Sequence, residues 1–145
     1  MKKISFQEAL TQILAENSRY HAEAYIFIRE SLDFASKILK KPSSKEPQKH
    51  VSAAELLEAI RQYALHEYGP LAMTVLNYWG INNCTDIGQI VFNLVNKNIL
   101  RKTESDSIHD FDNGYDFETA FRGPYQSATA KGSIRKTEQR IKKEE

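Results

Sequence analysis

The residues of this chain equipped for catalysis or metal binding are four histidines, one cysteine and one dense run of carboxylates. Cys84 stands just ahead of a predicted helix, where the helix dipole lowers a thiol pKa. A nucleophile there also needs a histidine brought to it by the fold, and a small residue in a capping region is the simpler reading. One cysteine excludes an internal disulfide and any multi-cysteine zinc site. His21, His50, His66 and His109 have no metal-protease spacing, because His66-Glu67 lacks a second histidine four residues further on. The run "DFDNGYDFE" offers Asp110, Asp112, Asp116 and Glu118 as oxygen ligands. Counted as a calcium-binding loop from Asp110, its glycine falls at position five instead of six, and no glutamate stands at twelve. A solvated loop is therefore expected. The chain has no phosphate loop, dinucleotide fingerprint or nucleophile elbow, and no cofactor is predicted.

A second set of residues could read nucleic acid, and its meaning depends on the elements that carry it. Ser52 and Glu55 form a capping box, with Val51 and Leu56 spaced as a hydrophobic staple. Leu56, Leu57, Ile60, Tyr63 and Ala64 then recur at helical spacing. Gly69 suits a left-handed stop and Pro70 the first turn of a second helix, along which Leu71, Ala72, Val75, Leu76 and Trp79 repeat until Gly80. Thr85 is placed to cap a third helix whose apolar face is Ile87, Ile90, Val91, Leu94 and Val95. After it, Ile99–Thr103 reads as a strand. Asn113-Gly114 is a strong hairpin turn signal, and Tyr115–Phe117 is the expected return strand. "ETAF" reads as a last helical turn.

Three short helices and a small two-stranded wing make a winged-helix-like unit. In that fold the third helix is the recognition element. Its polar face is Gln89, Asn93, Asn96 and Asn98, its one basic residue is Lys97, and Arg101 and Lys102 open the wing. Asn and Gln can read adenine edges, but affinity for a duplex rests on Lys and Arg at phosphates. Here the basic residues are few. Asp86 sits near the helix start, and Glu104, Asp106, Asp110, Asp112, Asp116 and Glu118 follow the wing. A wing so acidic repels a phosphate backbone.

Upstream, Ser5 and Glu8 form another capping box, and Phe6, Ala9, Leu10, Ile13 and Leu14 give one apolar helix face. "AENSR" breaks that helix. A longer one follows, with Tyr25, Ile28, Leu32, Ala35 and Leu39 as its stripe and Phe27 and Phe34 widening it. The aromatics Tyr20, Tyr25, Phe27, Tyr63, Tyr68, Tyr78 and Trp79 could line a ligand pocket, but residues at helical spacing are more often core. "KPSSKEPQK" is an exposed loop. The expected organisation is a single helical domain over 1–121, made of a helical pair (4–40), a loop (41–50) and the winged-helix-like unit (51–121). A basic flexible tail follows over 122–145, in which Ile134 and Ile141 would permit a helix if a partner were present.

A chain of 145 residues with 41% apolar and 27% charged residues fits one globular domain with a real core. No run is long and apolar enough for a membrane span. "MKKISFQEAL" begins basic, but Gln7 and Glu8 interrupt any signal-like apolar stretch, so a cytoplasmic protein is expected. The total charge of +1 hides an asymmetry. Residues 122–145 carry seven Lys/Arg and three acids, a net +4, and the rest carries 13 basic and 16 acidic residues, a net −3.

The segments "RYHAEAYIFIRESLDFASKIL", "HVSAAELLEAIRQYALHEYGPLAMTVLNYWGI", "DIGQIVFNLVNKNILRKTESDS" and "DFDNGYDFETAF" resemble a bacterial family found mainly in planctomycetes, verrucomicrobia and their relatives. The resemblance spans roughly residues 18 to 121. That family carries no assigned activity, so the resemblance implies a cytoplasmic bacterial protein and transfers no catalytic or binding residue.

Together these patterns predict a mainly α protein acting as a non-enzymatic interaction module. Its protein partner and oligomeric state are left open. The first alternative is weak nucleic-acid binding through Gln89, Asn93, Lys97, Arg101 and Lys102, helped by Lys131, Arg135, Lys136, Arg140, Lys142 and Lys143 of the tail. The second is a small enzyme or ligand binder with a Tyr/His pocket.

Overall fold

The computed structural model describes residues 4–39, 51–104 and 106–125. The expected loop over 41–50 and the tail beyond Tyr125, including the Ile134/Ile141 pair, lie outside the described residues. Five helices carry the fold: α1 (Phe6–Glu16), α2 (Ala22–Leu39), α3 (Ala53–Tyr68), α4 (Ala72–Tyr78) and α5 (Cys84–Asn96). A 3-10 turn at Gly69–Leu71 links α3 to α4, and another occupies Ile108–Phe111. A π turn at Glu118–Arg122 runs into a closing turn at Gly123–Tyr125. No strand occurs among the described residues.

The helix starts follow from local chemistry. Ser5 and Ser52 each accept from the backbone N–H three residues on, at 3.0 and 3.1 Å. Glu8 and Glu55 return the bond to the cap N–H at 2.9 and 3.0 Å. Each such cap stabilises its helix by about 1 kcal/mol. Pro70 sits in the first turn of the link into α4, where its missing N–H costs nothing. α4 ends in a Schellman motif. Gly80 takes φ +97°, its N–H donates to Asn77, and the Ile81 N–H reaches back to Leu76 at 2.9 Å. One start differs from expectation. α5 is capped by Asn83, whose side chain accepts from the Asp86 N–H at 2.9 Å, and the Thr85 hydroxyl donates instead to Asp112 at 3.1 Å.

The wing is the main correction. α5 ends in a second Schellman motif: Asn98 takes φ +63°, its N–H donates to Val95, and the Ile99 N–H donates to Leu94, both at 2.9 Å. That cap folds Ile99 and Leu100 back against the core. The following backbone is claimed by side chains. Asp106 accepts from the Thr103 N–H at 2.7 Å, and Ser107 and Asp110 form a capping box for the 3-10 turn. Such local bonds compete with a ladder. Nor does Asn113-Gly114 make a hairpin, since neither residue has the positive φ a type I′ turn demands. Gly114 serves a close approach instead. A Cβ there would meet Leu57 Cδ1 at 2.6 Å and Cys84 Sγ at 2.7 Å. Tyr115 and Phe117, expected on a return strand, pack with Phe121 as an aromatic group on the core. "ETAF" is helical as expected, as a π turn.

All five helices contribute to one apolar core. α2 and α3 make the broadest helix pairing, and α5 runs through the middle, with α2 on one side and the 108–111 turn on another. Gly88 makes the second contact possible: a Cβ on it would meet the Phe111 ring and Cβ at 2.9–3.0 Å. Tyr20, Tyr25 and Phe27 are fully buried and Trp79 nearly so, whereas Tyr78 is 77% exposed and lies against His21. The aromatic set is thus mainly core. No helix among the described residues is long and apolar enough to cross a membrane.

Candidate functional site

α5, the expected recognition helix, keeps seven of its thirteen residues buried, among them Asp86 in its first turn. Asp86 is 3% exposed and its carboxylate is fully engaged. Oδ1 accepts from the Tyr20 hydroxyl at 2.7 Å and from Arg19 Nη2 at 2.9 Å, and Oδ2 accepts from the Asn82 N–H at 2.8 Å. The Arg19 guanidinium also lies over the Tyr20 ring, 5.2 Å from its centroid. Burial, then the bond to Asp86, pushes the Tyr20 phenol far above its ordinary pKa. The sequence presented Asp86 as a charge that would repel DNA. The fold makes it the neutralised hub that ties the α1–α2 connection to the start of α5. The "D-I-G" spacing contains no signal of this; the partner residues stand 66 and 67 positions away.

The residues proposed for nucleic acid are dispersed. Gln89 is half-buried on α5. Asn93 donates from Nδ2 to the hydroxyl of the buried Tyr25 at 2.9 Å. Lys97 pairs with Glu16 of α1 at 2.8 Å. Asn98 caps the helix end and is not part of its polar face. Arg101 and Lys102 are exposed. Lys131, Arg135, Lys136, Arg140, Lys142 and Lys143 lie outside the described residues. Across the described residues there are 8 Lys/Arg and 15 Asp/Glu, a net −7, so the remaining positions hold 12 and 4, a net +8. The phosphate backbone of a nucleic acid meets a repulsive surface over most of this body.

Catalytic groups fare no better. The Cys84 thiol is buried against Tyr115, donating to its carbonyl at 3.5 Å and accepting from its N–H at 3.4 Å. Burial pushes its pKa up despite the helix start, so it stays a thiol, opposite to the lowering the dipole suggested. His109 pairs with Asp112 at 2.9 Å, which holds that carboxylate below the usual range. His66 lies beside Glu67, and the His21 ring accepts from the Glu23 N–H at 3.0 Å. Three carboxylates of the acidic run are engaged: Asp110 caps the 3-10 turn, Asp112 accepts from Thr85 of α5, and Asp116 accepts from the Thr119 N–H and hydroxyl at 3.0 and 3.1 Å. No group of three or more His, Cys, Asp or Glu able to hold a metal occurs among the described residues.

What the fold does assemble is a groove of about 600 Å³. Its walls are the C-terminal half of α2, the first turn of α3, the last two turns of α5 and the 99–111 segment. Leu32, Leu56, Val95, Ile99 and Phe111 give it an apolar floor. The rim is charged with both signs: Asp33, Asp106 and Asp110 against Arg101 and Lys102. A volume of this size accommodates a few large side chains of a peptide segment. The sequence had assigned Ile99–Thr103 to a wing. Released from any strand, that stretch becomes one wall of the groove, with Arg101 and Lys102 at its lip.

Compared with known proteins, the chain matches no family model, no curated protein and no solved structure.

Proposed function

We propose that this chain is a non-enzymatic, cytoplasmic interaction module that docks a peptide segment of a partner protein in the groove between α2, α3 and α5. The observation that carries the proposal is the apolar floor behind a charged rim on a body of net −7. Aliphatic anchors suit the floor, and Lys or Arg flanks suit the surrounding field. Membership of the bacterial family that the sequence resembles belongs to the same proposal and adds no residue to it.

The test is a selection of random 20-residue peptides displayed against the full chain, repeated with Val95→Asp. Selected peptides are expected to share two aliphatic positions with basic neighbours and to lose at least tenfold in affinity for the variant. Peptides binding both chains equally would overturn the groove as the site. The second reading, weak nucleic-acid binding, draws on exposed Arg101 and Lys102 together with the basic tail. It predicts binding near 50 mM salt that collapses steeply as salt rises, and absence of binding there removes it.

A further inference from the structure

The charge division within the chain and the groove belong together. The twenty residues after Tyr125 carry six Lys/Arg and three Glu, and the stretch Ile134–Lys143 alone carries five Lys/Arg and one Glu. Within it Ile134 and Ile141 are seven positions apart, a spacing that puts both on one face of a helix. They are the only large aliphatic side chains after Leu100 apart from Ile108. Residues 40–50, the link in sequence between α2 and α3, read "KKPSSKEPQKH" and have no aliphatic or aromatic anchor to offer.

Reach is sufficient. The Tyr125 hydroxyl lies 3.7 Å from where a Gly69 Cβ would stand, just past the C-terminal end of α3. The groove uses α3's first turn. The sixteen residues of α3 separate the two by roughly 24 Å at 1.5 Å per residue. The nine-residue step from Tyr125 to Ile134 spans up to about 30 Å when extended.

We propose, resting on the docking function above, that the chain's own residues 126–145 are the resident occupant of the groove. Ile134 and Ile141 seat on its apolar floor, and a partner peptide must displace them. A tethered segment acts at an effective concentration on the order of 1 mM. If its intrinsic dissociation constant is on the order of 0.1 mM, it weakens an incoming peptide by about tenfold.

The experiment uses the full chain and the full-length double variant Ile134→Asp/Ile141→Asp. Methyl NMR spectra follow Leu32, Val95 and Ile99. Peptides selected against each of the two chains are titrated into both. The expected result is a shift of all three groove methyls in the variant, reversed by adding a free peptide of residues 126–145. Selected peptides should bind the variant about tenfold tighter. Identical methyl spectra with selected peptides binding both chains equally would overturn tail occupancy and leave the docking function standing. Shifts that appear only at concentrations where sedimentation shows dimers would replace the intramolecular occupant with a second copy. Shifted methyls with no peptide selected against either chain would sustain the tail and remove the partner reading. Identical spectra and no selected peptide would remove both.

Discussion

Replacing Asp86 with alanine removes the acceptor for three groups at once: the Tyr20 hydroxyl at 2.7 Å, Arg19 Nη2 at 2.9 Å and the Asn82 N–H at 2.8 Å. Tyr20 is 1% exposed, so its hydroxyl cannot turn to water and is left unsatisfied. Orphaning a buried donor costs about 1–3 kcal/mol, and losing the carboxylate in the first turn of α5 removes up to about 1 kcal/mol of dipole stabilisation. Arg19, largely solvated, adds little. Asp86→Ala is therefore expected to cost about 2–4 kcal/mol, a fall in Tm of about 6–12 °C for a chain of this size. Tyr20→Phe leaves Asp86 its other donors and should cost about 1–2 kcal/mol. The double variant is the sharper measurement. With the acceptor gone, removing the orphaned hydroxyl should cost almost nothing, so the two losses should fall short of additive by at least 1 kcal/mol. Urea unfolding of the four proteins measures all of this. A loss under about 1 kcal/mol for Asp86→Ala, or additivity within about 0.5 kcal/mol, would refute the hub.

Further outcomes follow from the packing and the buried acids. Gly88→Ala forces a methyl against Phe111, whose Cβ and ring carbons stand 2.9–3.0 Å away, and is expected to cost about 1–3 kcal/mol in urea unfolding. Asn98, at φ +63°, should tolerate glycine within about 0.5 kcal/mol, whereas valine there should cost about 1–2 kcal/mol by thermal melt. Burial raises the folded-state pKa of the Cys84 thiol from 9.0 and of the Tyr20, Tyr25 and Tyr115 phenols from 10.0. Groups raised in the folded state stabilise fully below their unfolded pKa and lose that contribution as pH climbs toward the folded value. Tm should therefore decline from about pH 9 and more steeply beyond 10. Cys84→Ala should delay the onset, and a flat profile through pH 10.5 would contradict it. The same burial predicts that a thiol reagent at pH 8 reacts with Cys84 only as fast as the chain opens, which stopped-flow absorbance with and without urea will show.

Much of the helical framework was written in short-range signals. Two S-x-x-E boxes, the Gly69-Pro70 junction and Gly80 mark helix ends through bonds made within three or four residues, so no knowledge of the rest of the chain was needed. The apolar periodicity likewise named most of the core, including Ile87, Ile90 and Leu94. The misreadings came from residues with two local uses. Asn98 passes for a helix-face amide until its φ shows it to be a cap. Asn113-Gly114 carries the composition of a hairpin turn, but its glycine is there because Leu57 and Cys84 leave no room for a side chain.

The amino-acid sequence by itself determined the helices, the serine caps of α1 and α3, the basic composition of residues 122–145 and the scarcity of cations on α5. Each depends on neighbours close in the chain or on simple counting. Tertiary structure alone decided that Asp86 is a buried hub for Arg19 and Tyr20, that Cys84 is an inert thiol, and that residues 99–111 form the wall of a groove instead of a wing. These depend on contacts between segments far apart in sequence, from about 30 to nearly 70 residues for the first two. There burial and desolvation set the behaviour of a side chain, and no local pattern encodes them.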